Sequence, residues 1–239
     1  MRKPIIGVTL DFVGNNDGVG SFSARPHYAI RESYFDSIRL AGGIPMGIPF
    51  QADLIDEYLD LIDGIIIPGG DFALDPSWYV AGDAPKFLPS KRLAFDVEII
   101  RKALEQDMPL LGICAGMQIL AGMHGCKLAS DITKYSKTHV SHRGIDPYQY
   151  AHNVIVESDS LLEDISQVQE FGVNSHHNEG VVEVAGDIKI SGISGDGVIE
   201  AIEVAGKKFA LGVQWHPEFF LDAEDNNFEI VKALVFAAK

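Results

Sequence analysis

The sequence predicts an α/β fold: a doubly wound, mostly parallel sheet with helices on both faces, plus added antiparallel strands. Three observations carry this expectation. In the first half of the 239-residue chain, short apolar runs alternate with longer amphipathic segments. Those runs are apolar on both faces, as strands covered by helices on either side must be. In the second half, short strand-like segments follow one another through tight turns, as antiparallel strands do.

Taken in order, Ile5–Thr9 is the first strand. Ala29–Ala41 carries Ile30, Tyr34, Ile38 and Ala41 at helical spacing and stops at Gly42-Gly43, a helix C-terminal signal. Ile44–Pro49 is the second strand, Leu54–Leu61 a short helix and Asp63–Pro68 the third strand. Leu93–Glu105 sets Phe95, Ile99 and Ala103 on one helical face. Pro109–Ile113 is the fourth strand, and Ala115–Met123 continues from it as a helix. His152–Val156, Val181–Val184, Ile188–Ile193, Val198–Val204 and Phe209–Val213 read as short strands, and Glu224–Ala238 as a closing helix. No linker, repeat or low-complexity tract interrupts the series, so residues 1–239 are expected to form a single domain.

In such sheets ligands bind beyond the carboxyl ends of the strands. Pro68-Gly69-Gly70 and Gly112-Ile113-Cys114 both stand at strand ends and are therefore expected to meet. Two segments, Asp11–Arg25 and Asp71–Ser90, read as long loops. Irregular stretches of that length in a compact domain are more often lids or binding loops than idle connections. The second leaves the Gly69-Gly70 strand end directly, which sets it over the expected site.

Composition narrows the function classes. Lys and Arg total 19 against 34 Asp and Glu, a net charge of −15. A chain this acidic repels phosphate backbones, which disfavours nucleic-acid partners. The two cysteines cannot make a disulfide framework or a four-thiolate zinc site. No segment has signal-peptide character and no apolar run approaches the ~20 residues that span a bilayer. A soluble cytoplasmic protein without membrane contact is expected, and a homodimer is compatible with the composition.

The chemistry begins at Gly112-Ile113-Cys114-Ala115-Gly116. A G-x-nucleophile-x-G pentapeptide between a buried strand and a helix is a nucleophile elbow, a sharp strained turn with no room for side chains two residues to either side. It aims the thiol out of the sheet at the N-terminus of the next helix, where exposed N–H groups and the helix dipole favour thiolate. The Ala115 N–H can donate to an oxyanion. Chance accounts for only about 0.02 such matches in a chain with two cysteines. Cys126, at the end of the helix, reads as structural.

A thiol nucleophile needs a base, and the base an orienting group. Gln214-Trp215-His216-Pro217-Glu218 follows an apolar strand. If the segment is extended, His216 and Glu218 point to the same side, with Pro217 stiffening the link. The other histidine cluster is Asn174-Ser175-His176-His177-Asn178. No thiolate or carboxylate stands at convincing ligand spacing from it, so neither a metal nor a cofactor is expected, and a polar loop lining the site or a solvated turn is the reading.

Together these motifs resemble the class I glutamine amidotransferase superfamily, and within it the peptidase C26 branch of γ-glutamyl-γ-aminobutyrate hydrolase-like proteins. The resemblance runs from Pro4-Ile5-Ile6-Gly7 to Trp215-His216-Pro217-Glu218. It takes in Ala41-Gly42-Gly43-Ile44-Pro45, Pro68-Gly69-Gly70, Arg92…Asp96…Glu98, the elbow with Met117-Gln118, Val173-Asn174-Ser175 with His177, and Asp196-Gly197…Glu200-Ala201. It implies a flavodoxin-like class I glutamine amidotransferase fold and a Cys114–His216–Glu218 triad. It further implies an oxyanion hole of the Gly70 and Ala115 N–H groups, and substrate contacts from Gly69, Gln118, Asn174, Ser175 and His177. The implied reaction is hydrolysis of the γ-glutamyl amide bond of a small amine or amino acid through a thioester.

The chain departs from the branch pattern at Ala115, where many members carry Arg, and at Glu179, where the pattern has Gln. The spacing after the glycine pair, Asp71-Phe72-Ala73-Leu74-Asp75-Pro76, also differs slightly. If Glu179 faces the site, its carboxylate favours neutral or cationic leaving amines over anionic ones. Two rival functions remain in view: a glutaminase subunit feeding ammonia to a separate synthetase, and a non-catalytic binding module on the same fold. The first needs a partner, since the chain has no Gly-x4-Gly-Lys-Ser/Thr loop. The intact Cys114, His216 and Glu218 argue against the second.

Overall fold

The computed structural model describes residues 2–14, 25–136 and 140–239. The chain runs β1 (Ile5–Thr9), β2 (Asp11–Val13), β3 (His27–Ala29), α1 (Glu32–Leu40), β4 (Ile44–Ile48), α2 (Ile55–Leu61), β5 (Gly64–Ile67), α3 (Lys91–Glu105), β6 (Leu110–Ile113) and α4 (Ala115–Met123). It continues β7 (Lys127–Ala129), β8 (His152–Val156), α5 (Leu161–Ser166), β9 (Glu170–Val173), β10 (Gly180–Glu183), β11 (Ile188–Ser194), β12 (Ile199–Val204), β13 (Ala210–Val213) and α6 (Asn226–Ala237). None of the helices among the described residues is long and apolar enough to cross a membrane.

Nine strands form one sheet in the order β4-β1-β5-β6-β13-β12-β11-β8-β9. From β4 to β13 the pairings are parallel. From β13 to β9 they are antiparallel. The fold class read from the sequence is therefore observed, with the antiparallel strands extending one edge of the parallel half. Within that half the chain order reverses between β1 and β5, the position where doubly wound sheets open a crevice.

Alternation along the central strands shows why both faces are covered. Ile65 and Ile67 of β5 point into one apolar cluster and Ile66 into the other. Leu110 and Leu111 of β6 divide in the same way. The first cluster packs against α2, α3 and α4, the second against α1, α5 and α6. Helix α4 is buried on nearly every side, which explains why eight of its nine residues are buried and none is charged.

Several elements depart from the sequence reading. Ala29 belongs to a hairpin with Asp11–Val13, and α1 starts only after Arg31. The rest of the expected Asp11–Arg25 loop, residues 15–24, lies outside the described residues. The strand expected at Val181–Val184 forms as β10 but pairs with β7, away from the main sheet. Strands β7 and β9 and helix α5 escaped detection because they are three, four and six residues long, too short for either periodicity to register. Asp225 caps α6 by accepting from the Asn227 N–H, so that helix begins two residues later than its apolar pattern suggests.

At the start of α4 the helix meets the sheet with no space between them. A Cβ on Gly116 would stand 2.1 Å from the Ile67 carbonyl oxygen, and one on Gly112 2.8 Å from the Gly116 carbonyl. Both neighbours are backbone and cannot rotate aside. Gly116→Ala is therefore expected to destabilise the fold by about 3 kcal/mol or more, at the upper end of overpacking costs. Gly195→Ala, with nothing within 4 Å of the new methyl, is the control and should stay within about 0.5 kcal/mol in urea unfolding.

Candidate active site

Strands β5, β6 and β13 are neighbours in the sheet, and each delivers one part of the site from its C-terminal end. After β6, Cys114 forms the turn into α4 with φ 53° and ψ −106°. L-residues avoid this region, at a cost on the order of 1–3 kcal/mol. The strain is that of a nucleophile elbow. It is held from both sides: the Cys114 N–H donates to the Val213 carbonyl at 2.8 Å, and the Cys114 carbonyl accepts from the Gln118 N–H at 3.1 Å.

After β13 comes His216. Its Nδ1 lies 2.9 Å from Glu218 Oε1. The segment is not extended as expected. Pro217 opens a 3-10 turn over Pro217–Phe219, and that turn folds Glu218 back under the imidazole. Glu218 is fully buried and His216 only 9% exposed. Burial disfavours the imidazolium, but the adjacent Glu218 and Cys114 outweigh it and push His216 up to about 10. His216 is thus protonated at neutral pH, with Cys114 in hydrogen-bonding reach.

After β5, Gly69 admits both groups. A Cβ there would stand 2.9 Å from His216 Cε1 and 3.2 Å from Cys114 Cβ. The Gly69 N–H donates to the Tyr34 hydroxyl at 3.1 Å. Tyr34 is fully buried, and burial together with the neighbouring Glu218 raises its phenol well above the ordinary value. Buried Arg92 fixes the same loop: its Nη1 donates to the Gly69 carbonyl at 2.8 Å and its Nη2 to the Pro68 carbonyl. Asp96 accepts from Arg92 Nε at 2.8 Å and balances the charge. No peptide bond among the described residues is cis, so a Gly69 carbonyl turned to Arg92 sends the Gly70 N–H the opposite way.

Asn174 locks His216 from the other side. Its Oδ1 accepts from the His216 N–H at 2.8 Å, and its Nδ2 donates to the His216 carbonyl at 3.0 Å. Ser175 Oγ donates to the His142 carbonyl at 2.9 Å. Gln118 Nε2 donates to the Glu179 carbonyl at 2.9 Å and to Gln214 Oε1 at 3.0 Å. The side chains of Asn174 and Gln118 therefore hold the walls of the site. His177 is buried, with Nδ1 3.0 Å from the Glu179 carbonyl, and borders the recess beside Cys114 and Gln118.

Glu179 does not offer a free carboxylate to the cleft. It is 4% exposed. One oxygen accepts from the Tyr79 hydroxyl and the other from the Lys86 N–H at 3.1 Å. Glu179 borders the recess beside Cys114 with both oxygens already engaged. Its carboxylate anchors the Asp71–Ser90 segment, which does lie over the site: Asp71, Phe72, Leu88 and Pro89 share a cleft with Cys114 and His216. Exposed His176, from the histidine cluster read as a polar loop or solvated turn, lines it too, as do two arginines not singled out from the sequence. Arg31 and His176 flank His216 around a 210 Å³ pocket, and Arg143 borders the recess beside Cys114 and Gln118. In a chain of net charge −15, this basic rim sets the cleft apart. Nothing in local sequence marks the two arginines, because the fold gathers them from separate segments.

The peptidase C26 family model matches residues 4–218. The chain belongs to the peptidase C26 family. It is 35% identical over 279 aligned positions to a glutamine amidotransferase-like protein of Rickettsia prowazekii, covering 100% of this chain and 99% of that one. It is 33% identical to the γ-glutamyl-γ-aminobutyrate hydrolase PuuD of Escherichia coli, over 92% of this chain and 87% of the other. Among solved structures, a protein of Thermoplasma acidophilum assigned to GMP synthase has the same fold, with a TM-score of 0.63 at 17% identity over 100% of this chain and 95% of that one. Membership in peptidase C26, with these relatives, supports a hydrolase or amidotransferase-like enzyme.

The two thiols of this C26 protein differ sharply in setting. Cys114 is partly exposed in the cleft, whereas Cys126 is buried and burial pushes its thiol up. Iodoacetamide at neutral pH is expected to label Cys114 alone, as read by peptide mass spectrometry. Labelling of Cys126 in the native protein at a comparable rate would contradict this contrast.

Proposed function

We propose that the protein hydrolyses the γ-glutamyl amide bond of a small amine or amino acid through a thioester on Cys114. The observation that carries this reading is a thiol on a strained elbow facing an imidazole whose far nitrogen is held by a buried carboxylate. That is the arrangement nucleophilic acyl transfer needs. The γ-glutamyl class draws its support from the Escherichia coli relative. The basic rim of Arg31 and Arg143 suits the α-carboxylate of a glutamyl group.

In this reading Cys114 Sγ attacks the amide carbon, with its proton held on His216. The oxygen of the tetrahedral intermediate accepts from the N–H of Ala115, the first residue of α4, and from that of Gly70. A helix-terminal N–H has no partner within its own helix, and each such donor is commonly worth ~3 kcal/mol of barrier. His216 passes its proton to the leaving amine and becomes neutral. It then takes a proton from water as the hydroxide attacks the thioester carbon, which releases glutamate and the Cys114 thiolate and restores the starting pair. Glu218 holds the His216 tautomer. Arg92 and Asn174 are positioning residues: one aims the Gly70 N–H, the other fixes the His216 backbone.

Two measurements test the reading. With a panel of γ-glutamyl amides, the wild type should release glutamate and Cys114→Ala should not; a glutamyl adduct should map by mass spectrometry to the Cys114 peptide. Turnover that survives in Cys114→Ala, or an adduct elsewhere, defeats the proposal. The pH profile provides the second test. His216 is raised in the folded protein, so acylation should persist through neutral pH and fall only as pH rises towards about 10. Glu218→Gln removes the main charge that raises it. The basic limb should move to lower pH, with kcat/KM falling by roughly two to four orders of magnitude.

A further inference from the structure

On the antiparallel side of the sheet, behind the wall of the cleft, His142, His152, His177 and Glu200 converge. All four side chains are more than nine-tenths buried. From Glu200 Oε1 the distances are 3.0 Å to His142 Nδ1, 3.5 Å to His152 Nε2 and 3.6 Å to His177 Nε2. None of these four atoms has a hydrogen-bond partner among the described residues, and the second Glu200 oxygen has none there either. Even the 3.0 Å pair lacks the alignment a hydrogen bond needs.

The far sides of the rings explain why. His142 Nε2 lies 3.0 Å from Asp196 Oδ2, His177 Nδ1 3.0 Å from the Glu179 carbonyl, and His152 Nδ1 3.2 Å from the Asn153 carbonyl. Each of those partners can only accept, so each ring commits its N–H outward. In a neutral ring the inward nitrogen is then a lone pair. Three such nitrogens and a carboxylate facing one another in a buried interior call for a cation between them, a proton or a metal ion. A neutral imidazole that ligates a metal almost always donates its other N–H to a carboxylate or carbonyl, and all three rings do so here.

We propose that His142, His152 and Glu200, whose ligand atoms all lie within 4.8 Å of one another, form a site for a divalent transition metal of the zinc class, which His177, 3.6 Å from Glu200, closes by a ring shift on binding. Zn–N and Zn–O bonds of 2.0–2.2 Å give ligand–ligand edges of about 3.3–3.6 Å, and the three edges from Glu200 are 3.0, 3.5 and 3.6 Å. Three imidazoles and one carboxylate suit Zn²⁺ and its tetrahedral substitute Co²⁺. With His177 as the fourth protein ligand the site is closed to substrate and structural, not catalytic. It ties β8 and β12 to the segment before β8 and to the 174–179 loop, the loop whose Asn174 fixes the His216 backbone.

The test is metal content and metal uptake of the full chain. Purified wild type should carry close to one equivalent of transition metal by elemental analysis. After chelator treatment it should rebind one equivalent of Co²⁺, with the intense visible absorption of a tetrahedral centre, and its Tm should rise on adding Zn²⁺. Cys114→Ala should behave identically, which excludes the active-site thiol as the ligand. Glu200→Gln and His152→Ala should lose the Co²⁺ spectrum and the Zn²⁺-dependent Tm shift. Wild type that neither carries metal nor binds Co²⁺ overturns the proposal and leaves the cluster held by protons. A Co²⁺ spectrum that vanishes in Cys114→Ala overturns it equally. Because the wild-type measurements decide the matter, a variant that fails to fold does not protect the idea.

Discussion

The Ile67 carbonyl oxygen of β5 occupies the place where a side chain on residue 116 would begin, and the cleft follows from that contact. With glycine at 116 and 112, α4 can start directly against two parallel strands. The turn between β6 and α4 then has no slack, and Cys114 is driven to φ 53°. The elbow is short because the helix is close, and the helix can be close only where two side chains are missing. The local strain is carried by the apolar burial of α4, which no charged residue interrupts.

Around that elbow, charge is placed in the interior only where it is answered. Arg92 is fully buried, yet Asp96 and two loop carbonyls take its donors. Glu218 is buried beneath His216 and beside Tyr34. Breaking a buried pair of this kind by removing one partner commonly costs about 3–5 kcal/mol, because the remaining charge is stranded. The same charges orient the chemistry: Arg92 turns the Gly69–Gly70 peptide, Glu218 sets the imidazole, and Asn174 clamps the backbone of His216. Stability and geometry are therefore coupled at every strand end that reaches the cleft. The His142–His152–His177–Glu200 cluster differs from these pairs, for its facing atoms have no hydrogen-bond partner among the described residues.

What could be read from residues alone was what a few adjacent residues settle among themselves. The pentapeptide Gly112–Gly116 prescribes its own turn, because the glycines matter for contacts within the elbow and with the strand beside it. The pairing of His216 with Glu218 was legible for the same reason, although the extended geometry expected for it proved to be a 3-10 turn opened by Pro217. The alternation of two-faced apolar strands with amphipathic helices fixed the parallel half of the sheet, since burial on both faces leaves few polar positions. Strands as short as Lys127–Ala129 were invisible because three residues complete only one alternation and never repeat it.

Other features depend on separations that no spacing rule spans. His152 and Glu200 are 48 positions apart, and only the pairing of β8 with β11 and of β11 with β12 brings their strands together. Glu179 looked like a charge facing the substrate until the fold laid the Tyr79–Lys86 stretch against it and claimed both oxygens. The basic rim of Arg31 and Arg143 likewise exists only once distant segments meet at the cleft. Residue order alone marks the candidate nucleophile, its candidate base and the class of sheet that carries them, because those rest on local sterics and burial. Which polar groups face the cleft and which face each other emerges only on folding, because hydrogen bonds are satisfied by whatever the packing brings within reach.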